Sequence, residues 1–226
     1  MTKDLTAGSP MRLILSFGLP TLLGMLFQQF YNLMDTMIVG KLLGAQALAA
    51  VGSTSSISFL VIGFCMGVCN GFAIPVAQRV GANDPERMRQ YVANAAYLSV
   101  LFSAVLTAVT GLLCRTILTA MNTPADIFDD AYAYIFLIFM GIPATFLYNL
   151  LAGIIRSLGD SRTPVYFLAL SSGLNIFLDF ALILWFHAGV AGAAIATVVS
   201  QAISGVACLI YMGKRYPILR MTREER

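Results

Sequence analysis

Six separate apolar runs of about 20 or more residues, each long enough to cross a hydrocarbon layer about 30 Å thick, constrain this chain more than any other feature. They fall at 13–39, 57–76, 92–113, 132–155, 165–186 and 189–212. Charged residues make up 11% of the chain, against about a quarter in soluble proteins, and mean hydropathy is +0.81. The sequence therefore predicts an all-α, polytopic membrane protein, a bundle of six transmembrane helices over 13–212. Residues 1–12 are expected to form a short N-terminal segment and 213–226 a basic tail.

The basic residues divide unevenly between the two sets of connections. Lys3, Arg12, Arg79, Arg87, Arg89, Arg156, Arg162, Lys214, Arg215, Arg220, Arg223 and Arg226 fall on one side, and only Lys41 and Arg115 on the other. Counting Lys and Arg near span ends orients a membrane protein, so both termini are expected in the cytoplasm of a multi-pass cell-membrane protein. The net charge of +3 then reflects topology and contact with anionic membrane lipid, and no nucleic-acid partner is expected. The N-terminus is polar as far as Arg12 and the first apolar run is too long for a signal-peptide core, so no cleaved leader is expected. Cys65, Cys69, Cys114 and Cys208 lie in or at the end of spans without paired spacing and read as small apolar residues. The lone His187 is placed in the short turn between the last two spans. Gly40 and Gly44 read as opening the first outer loop, and the carboxylate pairs Asp84/Glu86 and Asp129/Asp130 as solvated loop residues. No catalytic residue, enzyme activity or organic cofactor is predicted.

Polar residues inside the spans carry the functional signal, because in lipid each must face protein or a water-filled cavity. Gln28, Asn32 and Asp35 lie on one helical stripe, as do Ser172, Asn175 and Asp179, and Thr197, Gln201 and Ser204. Gln28, Asn32, Ser172, Gln201 and Ser204 read equally well as hydrogen-bonding glue between helices. An ionisable residue at mid-helix costs about 2.5–3.5 kcal/mol on insertion scales, so Asp35 and Asp179 mark an ion or proton pathway. Asp35 lies six residues before Lys41, Asp179 eight before His187 and Thr197 eight after Gly189, which sets all three about 9–12 Å below the outer ends. If the three faces converge, Asp35, Asp179, Asn175 and Thr197 form one oxygen-rich pocket for a proton or a sodium ion. Pro20, fifteen residues before Asp35, is a hinge candidate for the first helix. Pro75 and Pro143 also stand within spans and read as packing or kink positions.

The ordered set GSPMRLILSFGLP (8–20), FQQFYNLMDTMIVG (27–40), AIPVAQRVGA (73–82), IIRSLGDSRTP (154–164), LNIFLD (174–179) and GVAGAAIAT (189–197) resembles the N-terminal half of a multidrug and toxic compound extrusion (MATE) transporter. The resemblance covers essentially the whole chain. It implies cation-coupled export of amphipathic, often cationic, compounds by alternating access, with a cation site on Asp35, Asn175, Asp179 and Thr197. It further implies hydrogen-bonding partners at Gln28, Tyr134 and Asn149, although simple counting sets Asn149 deeper than the carboxylates and Tyr134 nearer the surface. A further family amide is replaced here by Ala152.

Members of that family have twelve helices in two lobes, with substrate between them. Six spans correspond to one lobe, so the expected partner is a second lobe in cis, and the chain reads as part of a longer reading frame. The alternative is a parallel homodimer. Two other functions remain open at this stage: a flippase for lipid or lipid-linked oligosaccharide, for which cavity-facing Arg or Lys would be expected mid-span, and an inactive or scaffold membrane fragment.

Overall fold

The computed structural model describes residues 9–219; Lys3, Arg220, Arg223 and Arg226, with the rest of 1–8 and 220–226, lie outside the described residues. Seven helices follow one another: α1 (Pro10–Leu43), α2 (Ala45–Gly81), α3 (Pro85–Ala120), α4 (Phe128–Met140), α5 (Ile142–Ser157), α6 (Thr163–Phe180) and α7 (Gly189–Arg215). A π-helical turn, Ala181–Trp185, extends α6, and a 3-10 turn, Pro217–Leu219, follows α7. No strand occurs among the described residues. Helices α1, α2, α3, α6 with its π turn, and α7 are each long and apolar enough to cross a membrane, and α4 with α5 makes a sixth span bent by 44°. Short turns force the spans to alternate in direction. The α1–α2, α3–α4 and α6–α7 turns therefore share one end, here the distal end, and the α2–α3 and α5–α6 turns share the other.

The structure corrects several expectations. Gly40 does not open a loop, since α1 continues to Leu43 and the first connection is Gly44 alone, at φ +90°, where a side chain would be strained. Helix α2 accordingly starts at Ala45, twelve residues before the expected 57. Ser53, Thr54 and Ser55 look like a break in sequence, but their hydroxyls donate to the carbonyls of Ala50 (2.8 Å), Val51 (2.8 Å) and Val51 (3.2 Å). A hydroxyl that bonds its own helix carries no unpaired polar group into the membrane. Asp129 and Asp130 belong to the first turn of α4, where carboxylates complement the helix dipole. Asp84 caps α3 by accepting from Arg87 N–H (3.2 Å), Glu86 stands in that helix's first turn, and Arg115 lies within the last turns of α3. Helix α7 runs to Arg215, past the expected 212. Helix α1 passes through Pro20 without interruption.

The fourth span breaks where Pro143 withholds the N–H that would reach Phe139 and its ring crowds that carbonyl. Gly141, just ahead of it, is required by a close approach: a Cβ there would fall on Val198 Cγ2 and lie 3.1 Å from Val198 Cγ1. Further along, Thr145 Oγ1 donates to Gln201 Oε1 (2.8 Å), and a Cβ on Gly205 would stand 3.1 Å from Leu147. Helices α5 and α7 thus run side by side in one direction, held close by small residues, as membrane packing favours. On the other side of α5, a Cβ on Gly153 would stand 3.1 Å from Ala73 of α2. Phe139, Phe146, Ile154 and Ile155 fill the space between these helices.

At the end opposite the distal turns, the α5–α6 loop is tied to the segment after α7. Asp160 Oδ1 accepts from the N–H groups of Arg162 (3.1 Å) and Thr163 (3.0 Å), and Oδ2 from the hydroxyls of Thr163 (2.6 Å) and Tyr216 (3.0 Å). Partial burial pushes the Asp160 carboxyl up, but the Thr163, Tyr216 and Arg162 donors outweigh it and leave it below the ordinary carboxylate value. Tyr216 is buried and meets Tyr211 edge-on, which meets Phe167 of α6 in the same way. Leu219 packs on the apolar core beyond it.

Two expectations follow. Gly141→Ala should lower stability by about 1–3 kcal/mol through overpacking, and adding Val198→Ala should recover most of the loss, both read from thermal unfolding in detergent. Tyr216→Phe should cost about 1 kcal/mol at neutral pH, a figure discounted for the partly exposed loop. Because the folded-state carboxyl is depressed, this stabilisation is present above the unfolded value of about 4 and is lost as pH falls through the folded value. The gap in unfolding midpoint between wild type and Tyr216→Phe should therefore narrow as pH falls below about 4; a gap unchanged at low pH would refute the charged hydrogen bond.

Candidate functional site

Three helices bring their polar faces together in the distal half of the bundle. Helix α1 supplies Asp35, α6 supplies Asn175 and Asp179 one turn apart, and α7 supplies Thr197. Asp179 and Asn175 are fully buried and Asp35 nearly so. The carboxyl groups of Asp35 and Asp179 lie within hydrogen-bonding reach of one another. The Asn175 amide is assigned from its neighbours, as amide orientations must be. In the orientation that satisfies both sides, its nitrogen donates to Asp179 Oδ2 (3.1 Å) and its oxygen accepts from Thr197 N–H (3.1 Å) and Oγ1–H (3.2 Å). Thr197 Oγ1 also lies 3.1 Å from the Ala193 carbonyl, so its single proton is shared between two acceptors.

Each carboxyl keeps one oxygen, Asp35 Oδ1 and Asp179 Oδ1, buried without a hydrogen-bond partner among the described residues. Two ionised carboxylates in contact and out of water would repel strongly, and burying either alone is costly. Placing a proton or a monovalent cation between them relieves the repulsion and halves the buried charge. The two carboxyls present only oxygen to one another, which suits a proton or a hard cation, while the Asn175 amide oxygen is turned to Thr197 and away from them. No cluster of three or more His, Cys, Asp or Glu side chains occurs among the described residues, so nothing there matches a multi-carboxylate divalent site.

Other expected residues divide into those the structure brings to this group and those it does not. The Tyr134 hydroxyl, on α4, feels the charges of Asp35 and Asp179, and the residue packs against the apolar cluster on their distal side, nearer the surface as counting implied. Gln28 is half-buried two turns from Asp35 and makes no side-chain hydrogen bond among the described residues. Asn32 leaves the stripe altogether: it is exposed, and its amide reaches Gln29 at 3.5 Å. Asn149 sits on α5 and donates to the Thr145 carbonyl (2.8 Å), next to the Thr145–Gln201 bond, in a separate polar tier. Ser172 bonds its own helix at Leu168 (2.9 Å), and Ser204 Oγ is buried without a partner among the described residues.

Tyr31 was not anticipated. Its hydroxyl lies within hydrogen-bonding reach of the Thr197 side chain and in the field of Asp35 and Asp179. Its position four residues before Asp35, on the same helix face, was the available signal. On the distal side Ile38, Val39, Ile183, Val190 and Ala193 pack over the group, joined by Tyr134 and Ile176. These residues are one turn or so beyond Asp35, Asp179 and Thr197, so the pocket has an apolar roof.

Comparison with known proteins places this arrangement. The MatE family profile matches residues 20–181. The chain is 32% identical over 226 residues to the probable multidrug resistance protein YpnP of Bacillus subtilis, covering 98% of this chain and 51% of the relative. The probable multidrug resistance protein NorM of Thermotoga maritima is 27% identical over 203 residues, covering 88% and 43%. An FAD transporter of Shewanella oneidensis is 25% identical over 199 residues, covering 85% and 43%. The chain thus spans about half the length of the relatives it matches. Among solved structures, a MATE protein in the straight conformation superposes with TM-score 0.88 at 28% identity, over 100% of this chain and 51% of that one. A MATE protein in the bent conformation superposes with TM-score 0.87 at 28% identity, over 100% and 52%. With the profile spanning α1 to the end of α6 and the fold shared along its whole length, the chain belongs to the MatE family of membrane transporters.

Proposed function

We propose that this chain forms the ion-coupled lobe of an antiporter that exports amphipathic, cationic organic compounds by alternating access, with a proton exchanged at Asp35 and Asp179. The observation that carries the reading is the contact between two buried carboxyls, each with an oxygen left unpartnered. Such a pair exists in two charge states of very different cost. Without its ion it is an electronegative centre that holds a cationic compound, and with its ion it releases one. Cargo and ion then compete, and the work comes from their differential affinity for the two states.

Asn175 and Thr197 fix Asp179, while Tyr31 and Tyr134 supply hydroxyls to whichever charge state is present. The hydrogen-bonded network supports a proton as the coupling ion; sodium on Asp35, Asn175, Asp179 and Thr197 is the competing assignment. Gln28 and Asn149 extend the polar path away from the roofed side. In this reading the distal end faces outward, because the basic residues crowd the other end, and the protein lies in the cell membrane with both termini cytoplasmic. Pro20 serves as the hinge: it leaves the Ser16 carbonyl without a helical partner, on a helix exposed along Leu15, Leu19, Leu22 and Leu26. The second lobe comes from sequence in cis, or from a second copy.

A second reading of the cargo, an anionic compound, rests on Arg156. Half-buried at the far end of α5, it bonds Asn70 Oδ1 (3.3 Å) and makes no ion pair among the described residues. The Shewanella relative named an FAD transporter points the same way.

In the transporter that contains this lobe, Asp35→Asn and Asp179→Asn should each abolish resistance to cationic drugs while leaving membrane expression intact; full resistance in either variant would sink the coupling role. In proteoliposomes free of sodium, an imposed pH gradient should drive uptake of a cationic dye. Transport that responds only to a sodium gradient would replace the proton by sodium. Arg156→Gln should leave cationic-dye transport unchanged, and faster loss of anionic than cationic cargo in that variant would favour the second reading.

A further inference from the structure

Away from the carboxyl pair, the distal end of α3 carries two adjoining recesses of about 580 and 490 Å³ that share Thr119. One is lined by Thr119, Asn122, Thr123, Phe128 and Asp129, the other by Arg115, Thr116 and Thr119. They hold opposite charges that do not meet. Neither Arg115 nor Asp129 makes an ion pair among the described residues. The Arg115 guanidinium instead lies over the Tyr132 ring, 5.8 Å from its centre, and Tyr132 stacks on Phe136 at 5.6 Å. Thr123, half-buried, stands in the wall of the larger recess, with its hydroxyl oxygen turned away from solvent. The wall itself is fixed. Asn122 turns the chain at φ +53°, and Gln46 of α2 pins the loop by donating to the Asp126 carbonyl (2.9 Å).

Depth identifies the surroundings. With 36 residues α3 is about 54 Å long, against about 30 Å of hydrocarbon, so its last turns project into the headgroup layer. Arg115 stands five residues before the end of the helix, about 8 Å below it. One turn deeper, Leu112 is 84% exposed, and Leu113, Val109, Val105 and Leu101 continue an exposed apolar strip towards mid-membrane. A ligand with acyl chains on that strip would bring its phosphate to Arg115 and the group beyond the phosphate to Asp129.

We propose that this double recess binds an aminophospholipid headgroup of the distal leaflet. The lipid phosphate pairs with Arg115 and its primary ammonium with Asp129. A guanidinium is the side chain best matched to a phosphate, and charge-assisted hydrogen bonds of this type are the strong ones. Phosphatidylglycerol satisfies only the arginine, and the quaternary ammonium of phosphatidylcholine cannot donate to the aspartate. The site is separate from the Asp35–Asp179 pair, so it stands or falls independently of the coupling mechanism.

The test uses the whole chain purified in detergent, with bound lipid counted by native mass spectrometry after titration with each of the three phospholipids. Phosphatidylethanolamine should be retained about five- to tenfold more strongly than phosphatidylglycerol or phosphatidylcholine. Asp129→Asn should bring phosphatidylethanolamine down to the phosphatidylglycerol level without altering the latter. Arg115→Gln should weaken both, and Arg115→Lys, which keeps the charge, should restore phosphatidylglycerol. Equal retention of all three lipids by wild type and variants would overturn the proposal. So would displacement of the bound lipid by millimolar inorganic phosphate, which would make the recess a general anion site.

Discussion

The solvent is the constraint on which everything else in this structure depends. Hydrocarbon offers no hydrogen bonds, so each backbone and side-chain polar group is satisfied within the bundle or is expensive. The chain meets this locally at many positions, although the hydroxyls of Ser58, Ser99, Thr107 and Ser204 are buried without a partner among the described residues. Ser53, Thr54, Ser55, Thr110 and Ser172 all return their hydroxyl protons to carbonyls three or four residues earlier on the same helix. These residues are polar in sequence and silent in the membrane. Against that background the oxygens of Asp35 and Asp179 that find no partner stand out, because a local remedy for a serine is not open to a carboxylate.

The same constraint explains why packing rests on small residues. Between helices already out of water, burial in protein gains little over burial in lipid, so association depends on close contact and occasional hydrogen bonds. Gly141 against Val198, Gly205 against Leu147 and Thr145 bonded to Gln201 set the register of α5 on α7. That register has a consequence for the carboxyl pair. Thr197 precedes Val198 by one residue, so the contact that fixes the break in the fourth span also fixes the height of the hydroxyl bonded to Asn175. Tyr134, on the other half of the broken span, reaches the site from a helix that Gly141 and Pro143 allow to diverge by 44°.

Much of this was legible in the sequence, for a physical reason. A helix advances by a constant rise, so residues equally far from the ends of their spans share a level, and counting was enough to set Asp35, Asp179 and Thr197 together. Counting failed where its assumptions failed. It started α2 late because hydroxyls that bond inward cannot be told from hydroxyls that need water. It kept Asn32 on the polar stripe because three residues spaced over two turns cover a wide arc, and the edge of that arc faces out. Tyr31 was overlooked since a tyrosine in an apolar run reads as bulk, and only three-dimensional proximity to Thr197 shows its hydroxyl at the site.

Access to the carboxyl pair then follows from what covers it. Ile38, Val39, Ile183, Val190 and Ala193 close the distal side with side chains that offer an ion no ligand. Away from that roof the polar residues continue: Tyr31 and half-buried Gln28 along α1, then Gln201, Thr145 and Asn149 between α7 and α5. Of the buried residues in that cluster, Ile38 and Val39 lie on α1 and Ile183 on the π turn after α6, while Ala47 and Val51 come from α2 and Val190 and Ala193 from α7. The helices that supply the polar residues of the pair, α1, α6 through its π turn, and α7, thus also supply most of what closes it on the distal side, and α2 completes the cover.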